Sequence, residues 1–305
     1  TEYVVINSTA GHLKDSIAAS HKDIAMVKRM KVTGTINVYD FIIMRDSMPK
    51  LTALNLKDVR IKRVYNYTVG GVEYWTDYAE DDVLPFNSFT GKRTLTSFVF
   101  PDVLNRIDVG AFAGAGLKGS LNIPEGVVEI GPGAFIDNDF TGILTLPSTL
   151  KKIGSGAFRE CCFICPLNLP DGIEEIGSVC FENCRYLYGN LTLPSHLKKL
   201  GSAAFAKCSG LKGDLVIPKS LTVIPSDAFN ACGLGGRLQL HDGITTIGNG
   251  AFGHNGFKGE LDLPKSLTEL GGNNFWGNYF SGSLKIPKGL TNISEEAFSN
   301  CTFQF

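Results

Sequence analysis

Read as apolar and polar positions, the segment FKGELDLP at 257–264 alternates strictly, with Phe257, Gly259, Leu261 and Leu263 on one side and Lys258, Glu260 and Asp262 on the other. Period-two alternation predicts an extended segment with one buried face. The same pattern returns in LKGSLNIP ending at Pro124, FTGILTLP at Pro147, FICPLNLP at Pro170, LYGNLTLP at Pro194, LKGDLVIP at Pro218, LGGRLQLH at His241 and FSGSLKIP at Pro287. A shorter form, LTSFVFP, ends at Pro101. Proline removes a backbone donor, so it marks where each strand stops.

Between these strands a second landmark, usually Ala-Phe, recurs at Phe89, Phe112, Phe135, Phe158, Phe181, Phe205, Phe229, Phe252, Phe275 and Phe298, always 23 or 24 residues apart. An LxxI step links the two landmarks, as in Leu104/Ile107, Leu150/Ile153 and Leu221/Ile224. It predicts a short second strand, and the Ala-Phe pair predicts a tight, 3₁₀-like turn with the ring pointing inward. A unit of this size cannot bury its own apolar face, so the units must stack. With about 4.8 Å between strands, ten coils make a ladder roughly 45–50 Å long with a large concave side.

The combination of LxLP, LxxIG and Ala-Phe, with Cys or Asn three residues after the Phe, resembles the BspA-like leucine-rich repeats of bacterial surface proteins. The resemblance covers about 51–305, and TGTINVYDFIIMRDSMPKLTALNL at 33–56 resembles the entry segment of Bacteroides-type members. It implies a right-handed leucine-rich-repeat solenoid with a parallel β-ladder. It also implies an extracellular or cell-surface location, with a leader and any lipid anchor upstream of this chain. The resemblance further implies a protein of a kind of which some adhere to host matrix proteins or to other bacteria.

Residues 1–50 lack the period. Extended stretches at Tyr3–Ile6 and Met30–Ile36 alternate with helices at Gly11–His21, with Leu13 and Ile17 inward, and at Val38–Ser47, with Val38, Phe41 and Ile42 on one face. Together they predict a small α/β cap over the first open edge of the array at 51–305. An insertion at about 61–88 carries Tyr65, Tyr67, Tyr74, Trp75 and Tyr78, then Glu80, Asp81 and Asp82. It reads either as a functional loop or as an aromatic loop folded over the cap.

Composition narrows the function classes. A formal net charge of −1, with no long run of one sign, gives no field to attract nucleic acid. No apolar run is long enough to span a bilayer. Cys161, Cys184, Cys208, Cys232 and Cys301 share one repeat slot with Asn138, Asn255 and Asn278, which predicts a ladder of free thiols satisfying backbone groups of the next turn. Cys180 takes an Ala slot and Cys165 a Gly slot, and Cys162 is off the pattern. Parallel in-register side chains stand too far apart for disulfides. The CCxxC run at 161–165 has no partner pair, so no metal is expected.

GAGLKG at 114–119 matches a dinucleotide fingerprint, but a strand follows it where a helix is required, so no cofactor is expected. The outward row Asn122, Thr145, Asn168, Thr192, Val216, Gln239, Asp262 and Lys285 offers no converging carboxylates, and no enzyme is expected. Exposed aromatics with arginine suit binding hot spots. The candidates for ligand contact are Trp276, Tyr279, Arg185, Tyr186, Tyr188, Trp75 and Tyr78. These features predict a non-catalytic protein-binding or adhesion module whose partner is an extracellular protein. The alternatives are a carbohydrate-binding protein, with Trp276, Tyr279 and Trp75 stacking on sugar rings, and a structural spacer.

Overall fold

The structure is a computed structural model describing residues 2–69, 71–75, 80–294 and 296–303. Its N-terminal part runs β1 (Val4–Ser8), α1 (Leu13–Ala19), β2 (Arg29–Ile36), α2 (Val38–Asp46) and β3 (Ala53–Ile61). The insertion follows as an antiparallel hairpin of β4 (Asn66–Val69) and β5 (Val72–Trp75), then come β6 (Val83–Leu84), β7 (Ser97–Val99) and β8 (Arg106–Ile107). β1, β2, β3 and β7 form one parallel sheet in that order, so the cap and the first coil share a single hydrogen-bonded ladder. Helix α1 is shorter than the span expected at 11–21, because His21 turns left-handed at φ 58° just past its end. Leu13 and Ile17 are buried as expected. In α2 the third inward residue is Met44 rather than Ile42, which is half-buried. Positions 38, 41 and 44 advance by three and hold one helical stripe, whereas 42 drifts off it.

Asp40, buried on α2, joins the two helices. Its carboxylate accepts from the backbone N–H groups of Gly11 at 2.7 Å and Leu13 at 2.9 Å, supplying the N-terminal cap that His12 does not provide. The same side chain accepts from Asn37 N at 2.9 Å, closing a capping box with the Asn37 side chain, whose Oδ1 also accepts from Tyr39 N.

In the array the longest ladder runs through the LxxI steps. β6 and β8, then Glu129–Ile130, Lys152–Ile153, Glu175–Ile176 and Lys199–Leu200, form one six-stranded parallel sheet. Val223–Ile224, Thr246–Ile247 and Glu269–Leu270 form a separate three-stranded one. The LxLP segments, expected as the main strands, pair only in twos and threes, such as Leu215–Val216 with Leu238–Gln239. At some coils a left-handed glycine precedes them, although the chain passes through Gly119 at φ 73° within the strand Lys118–Asn122. Gly213 and Gly259 adopt φ of 85° and 87°, a left-handed conformation that turns the chain out of strand geometry just before the LxLP run. The alternation itself holds, and all eight residues of the predicted outward row are exposed.

Along the six-stranded ladder the outward charges alternate one per coil: Arg106, Glu129, Lys152, Glu175 and Lys199, with neighbours 3.5 to 3.8 Å apart. Each pair is solvated and contributes little alone. Like charges stacked directly opposite would destabilise the sheet, and the alternation avoids that.

Inside, the ten repeat phenylalanines form a single stack. Successive ring centroids lie 5.3 to 6.0 Å apart with planes 2° to 20° from parallel. Every ring is flanked by left-handed residues two positions before and after it, as Val179 and Asn183 flank Phe181. These residues interrupt the run of i→i+3 bonds, such as Ala134 N to Gly131 O and Ile136 N to Gly133 O, so separate tight turns form where a 3₁₀-like turn was expected. Core packing is continuous from Ile6 to Ala297.

The Cys/Asn slot does what its interchange predicts. Cys161, Cys184, Cys208, Cys232 and Cys301 each donate Sγ–H to the carbonyl of the repeat Phe one coil earlier, at 2.9 to 3.4 Å. Asn138, Asn255 and Asn278 donate Nδ2–H to the equivalent carbonyls at 2.7 to 2.9 Å. All eight cysteines are free, and only Cys162 and Cys301 are less than fully buried. In the first coil the slot holds Lys92, a role the sequence does not reveal. Its buried ammonium donates to the carbonyls of Arg45 at 2.9 Å and Met48 at 2.6 Å, tying the C-terminal end of α2 to the array. Burial lowers the Lys92 pKa, while nearby Asp46 opposes the shift.

Candidate functional site

Since the interior is a uniform stack, binding chemistry must come from the exposed rows, where the coils differ. On consecutive coils, Ile143, Ile164 and Tyr188 point outward with 59%, 55% and 47% of their surface exposed. The backbone aligns them. Ile164 N donates to Gly142 O at 3.1 Å, setting Ile164 beside Ile143, and Pro166, also exposed, is bridged to Tyr188. Tyr186 is likewise exposed, and Arg185 beside it is held by Nε donating to Asn183 Oδ1 at 2.7 Å. The structure therefore extends the predicted Arg185/Tyr186/Tyr188 spot with Ile143, Ile164 and Pro166. The isoleucines were missed because they sit in slots that other coils fill mostly with polar residues, such as Ser120, Asn190 and Asp214 for Ile143 and Lys118, Thr141 and Lys212 for Ile164.

Trp276 occupies a different place. It is half-buried, its ring edge-packed on His254 with centroids 4.0 Å apart. It lines an open hollow of about 420 Å³ together with Asp227, Asn230, Asn249, Gly250, His254, Asn273 and Glu296. Tyr279 does not line this hollow; it is strongly exposed on the strand Tyr279–Gly282, its ring against Gly256. The hairpin pairs Asn66 with Trp75 through the backbone, and Arg63 lies over the Tyr65 ring at 4.8 Å. Tyr78 and the side chain of Trp75 lie outside the described residues.

One group resembles a catalytic triad. Ser195 Oγ contacts His196 Nδ1 at 3.1 Å and Asp171 Oδ2 at 2.8 Å. The arrangement cannot relay a proton from Ser to Asp through His, because Ser195 donates to Asp171 directly and one imidazole nitrogen faces both partners. Its role is visible in its repetition. Asp171 Oδ1 accepts from Ser195 N at 2.6 Å, as Glu125 accepts from Ser148 N at 3.0 Å and Asp242 from Lys265 N at 2.9 Å. Each is an acid after the strand proline, or after His241 in that slot, clipping the next coil. Hydrogen bonds from Ser195 hold Asp171 below the usual carboxylate range, as those from Ser148 do for Glu125.

The buried thiols are correspondingly inert. Burial pushes Cys161, Cys180, Cys184, Cys208 and Cys232 well above the ordinary thiol range. Among the described residues no three His, Cys, Asp or Glu side chains converge as a metal ion requires. The glycines at 114–119 run from the turn into the strand Lys118–Asn122. Among the described residues no helix is long and apolar enough to cross a membrane.

The model of BspA-type leucine-rich repeat regions matches 83–212 and 212–304 in six copies. A leucine-rich repeat protein from Bacteroides ovatus superposes with a TM-score of 0.57 at 26% identity, over 76% of this chain and 58% of that one. This chain thus spans little more than half of that protein's length. A leucine-rich repeat protein of Treponema pallidum aligns at 23% identity over 57% of this chain and 70% of its own, with a TM-score of 0.39. No curated protein matches the chain. The periodic core, the thiol and amide ladder and the family match, which extends over most of the coils, make this chain a member of the BspA-type leucine-rich-repeat family.

Proposed function

We propose that this chain is a non-catalytic protein-binding module, displayed on a cell surface or secreted, that engages an extracellular partner through its exposed rows. The observation that carries this reading is the apolar face of Ile143, Ile164, Pro166 and Tyr188 on adjacent coils. Isolated exposed apolar residues are ordinary, but an aligned group with tyrosines and an arginine at its border matches the make-up of interaction surfaces. The family membership supports the same reading. Adhesion to host matrix or to other bacteria is its specific form.

Immobilised protein would be tested against purified extracellular matrix proteins, intact bacterial surfaces and a glycan array. Saturable protein binding is expected, weakened at least tenfold in the Ile164→Lys/Tyr188→Lys double variant with folding unchanged. Binding to glycans alone, or protein binding indifferent to the double variant, overturns the reading.

A further inference from the structure

Laying the coils side by side isolates one coil. Two positions before the repeat Phe the residues are Asp227, Gly250, Asn273 and Glu296 on four successive coils, and one position after it they are Asn230, Gly253, Trp276 and Ser299. The Phe252 coil is the only one of the ten with glycine in both rows. Both glycines are buried, so this coil has no side chain where its neighbours have large ones, and a notch results. Asp227 and Asn230 form one wall, Asn273 and Trp276 the other, and the walls stand two coils, about 10 Å, apart.

The notch is braced. Asn230 Nδ2 donates to Asp227 Oδ1 at 3.0 Å and to Gly250 O at 3.2 Å. Asn249 Oδ1 accepts from Gly272 N at 2.9 Å. His254 packs against the indole, and its backbone N–H donates to Trp276 O at 2.8 Å. Gly250 is required by this arrangement, since it sits at φ 63° and a Cβ there would press on the Asp227 carboxylate. The lining includes two carboxylates, Asp227 and Glu296, and no lysine or arginine. Neither carboxylate is ion-paired among the described residues, although many acids elsewhere on the solenoid are.

We propose that this notch receives a cationic side chain, arginine or lysine, of a protein partner. The cation lies against the Trp276 indole and is neutralised by Asp227 and Glu296. A neutral sugar could stack on the same indole, but it would leave both carboxylates uncompensated and gain nothing from the negative field of the lining. The assignment of a protein partner rests on the reading of the chain as a protein-binding module, whereas the cation preference can be tested without any partner.

The chain contains two tryptophans, so Trp75→Phe leaves Trp276 as the sole indole reporter. Its fluorescence and indole N–H resonance would be followed during titration with N-acetylarginine amide, the neutral N-acetylcitrulline amide and a methyl glucoside. Saturable binding of the arginine probe alone is expected, weakening with added salt. The isosteric Asp227→Asn/Glu296→Gln variant should weaken it about tenfold. Citrulline or glucoside binding as well as arginine, no saturation with arginine, or an unchanged double variant overturns the proposal. Ile164→Lys/Tyr188→Lys should leave the probe's binding intact. Protein capture without probe binding would therefore refute the notch alone, and probe binding without protein capture would refute only the wider reading.

Discussion

From Cys161 to Cys232 four consecutive coils close on a thiol, whereas Asn138 before them and Asn255 and Asn278 after them close on an amide. Both side chains reach the same target, the carbonyl of the Phe one coil earlier. They differ in what else they do. Asn255 also accepts from Cys232 N at 3.0 Å and Leu234 N at 3.3 Å and donates to Phe252 O at 3.0 Å, so one residue stitches two coils at several buried backbone groups. Cys208 donates once, to Phe181 O at 3.0 Å, and its sulfur receives the N–H of Cys184. From Asn138 onward the slot thus holds a donor of small volume, and the amide adds an acceptor that the thiol supplies only weakly. The array can be built with either because apolar stacking of the phenylalanines continues unchanged through both regions.

The largest effect that would test this contrast comes from Asn255→Ala. It leaves two buried N–H donors and the Phe229 carbonyl without partners, and removing one partner of a buried hydrogen bond costs about 1–3 kcal/mol. A loss of about 4 kcal/mol is expected, read from the midpoint of urea unfolding; a loss near that of a cysteine variant would mean the extra bonds are idle.

Asp108 extends the comparison to a charge. It is buried in a slot that most coils fill with glycine, and desolvation, despite backbone N–H groups of Val109 and Phe86, raises its pKa from 3.8 to about 6, with the nearby Glu129 charge adding to the shift. The folded state thus holds this proton more tightly than the unfolded chain. Asp108 imposes no cost below about pH 4, an increasing one as pH rises to about 6, and its full cost above that. Asp108→Asn should stabilise the protein by about 2 kcal/mol at pH 8 and by almost nothing at pH 3.5. Equal gains at both pH values would place the effect in packing rather than in charge.

The amide and thiol ladder was legible in the sequence because one residue type recurs at one offset, and so were the phenylalanine stack and the outward row. Which strand carries the long ladder was not legible. Strict apolar alternation marks LxLP and not LxxI, so the pattern points to the former as the main strand, and the left-handed φ of Gly213 or Gly259 just before it leaves no mark in a hydrophobic pattern. Lys92 and Asp40 escaped for another reason. Each acts on backbone groups 27 to 47 residues away, and a lysine or aspartate read singly looks like surface. Of the candidate contact residues, Arg185, Tyr186 and Tyr188 are exposed where their spacing placed them, but Trp276 is held half-buried by His254. The notch beside it arises from two glycines in different rows, visible only when neighbouring coils are aligned.

The smallest effect should come from Cys208→Ala, which removes one weak donor and one sulfur from a close-packed slot, at about 1 kcal/mol. Thiol labelling gives it a sharper readout. At pH 8, Cys162 should react first with an aromatic disulfide reagent. Cys301 should follow slowly, since burial pushes its thiol up to about 11 and little thiolate is present. The ladder thiols should react only when neighbouring coils separate, so their labelling rate measures coil opening directly. Cys208→Ala ought to hasten labelling of Cys184 and Cys232, the adjacent rungs, more than that of Cys161, because coupling in a repeat array passes mainly between neighbours. Uniform acceleration of all the ladder thiols would instead mean that the thiol coils open as one unit, and that the Phe stack rather than the hydrogen-bonded slot sets the cooperativity of this region.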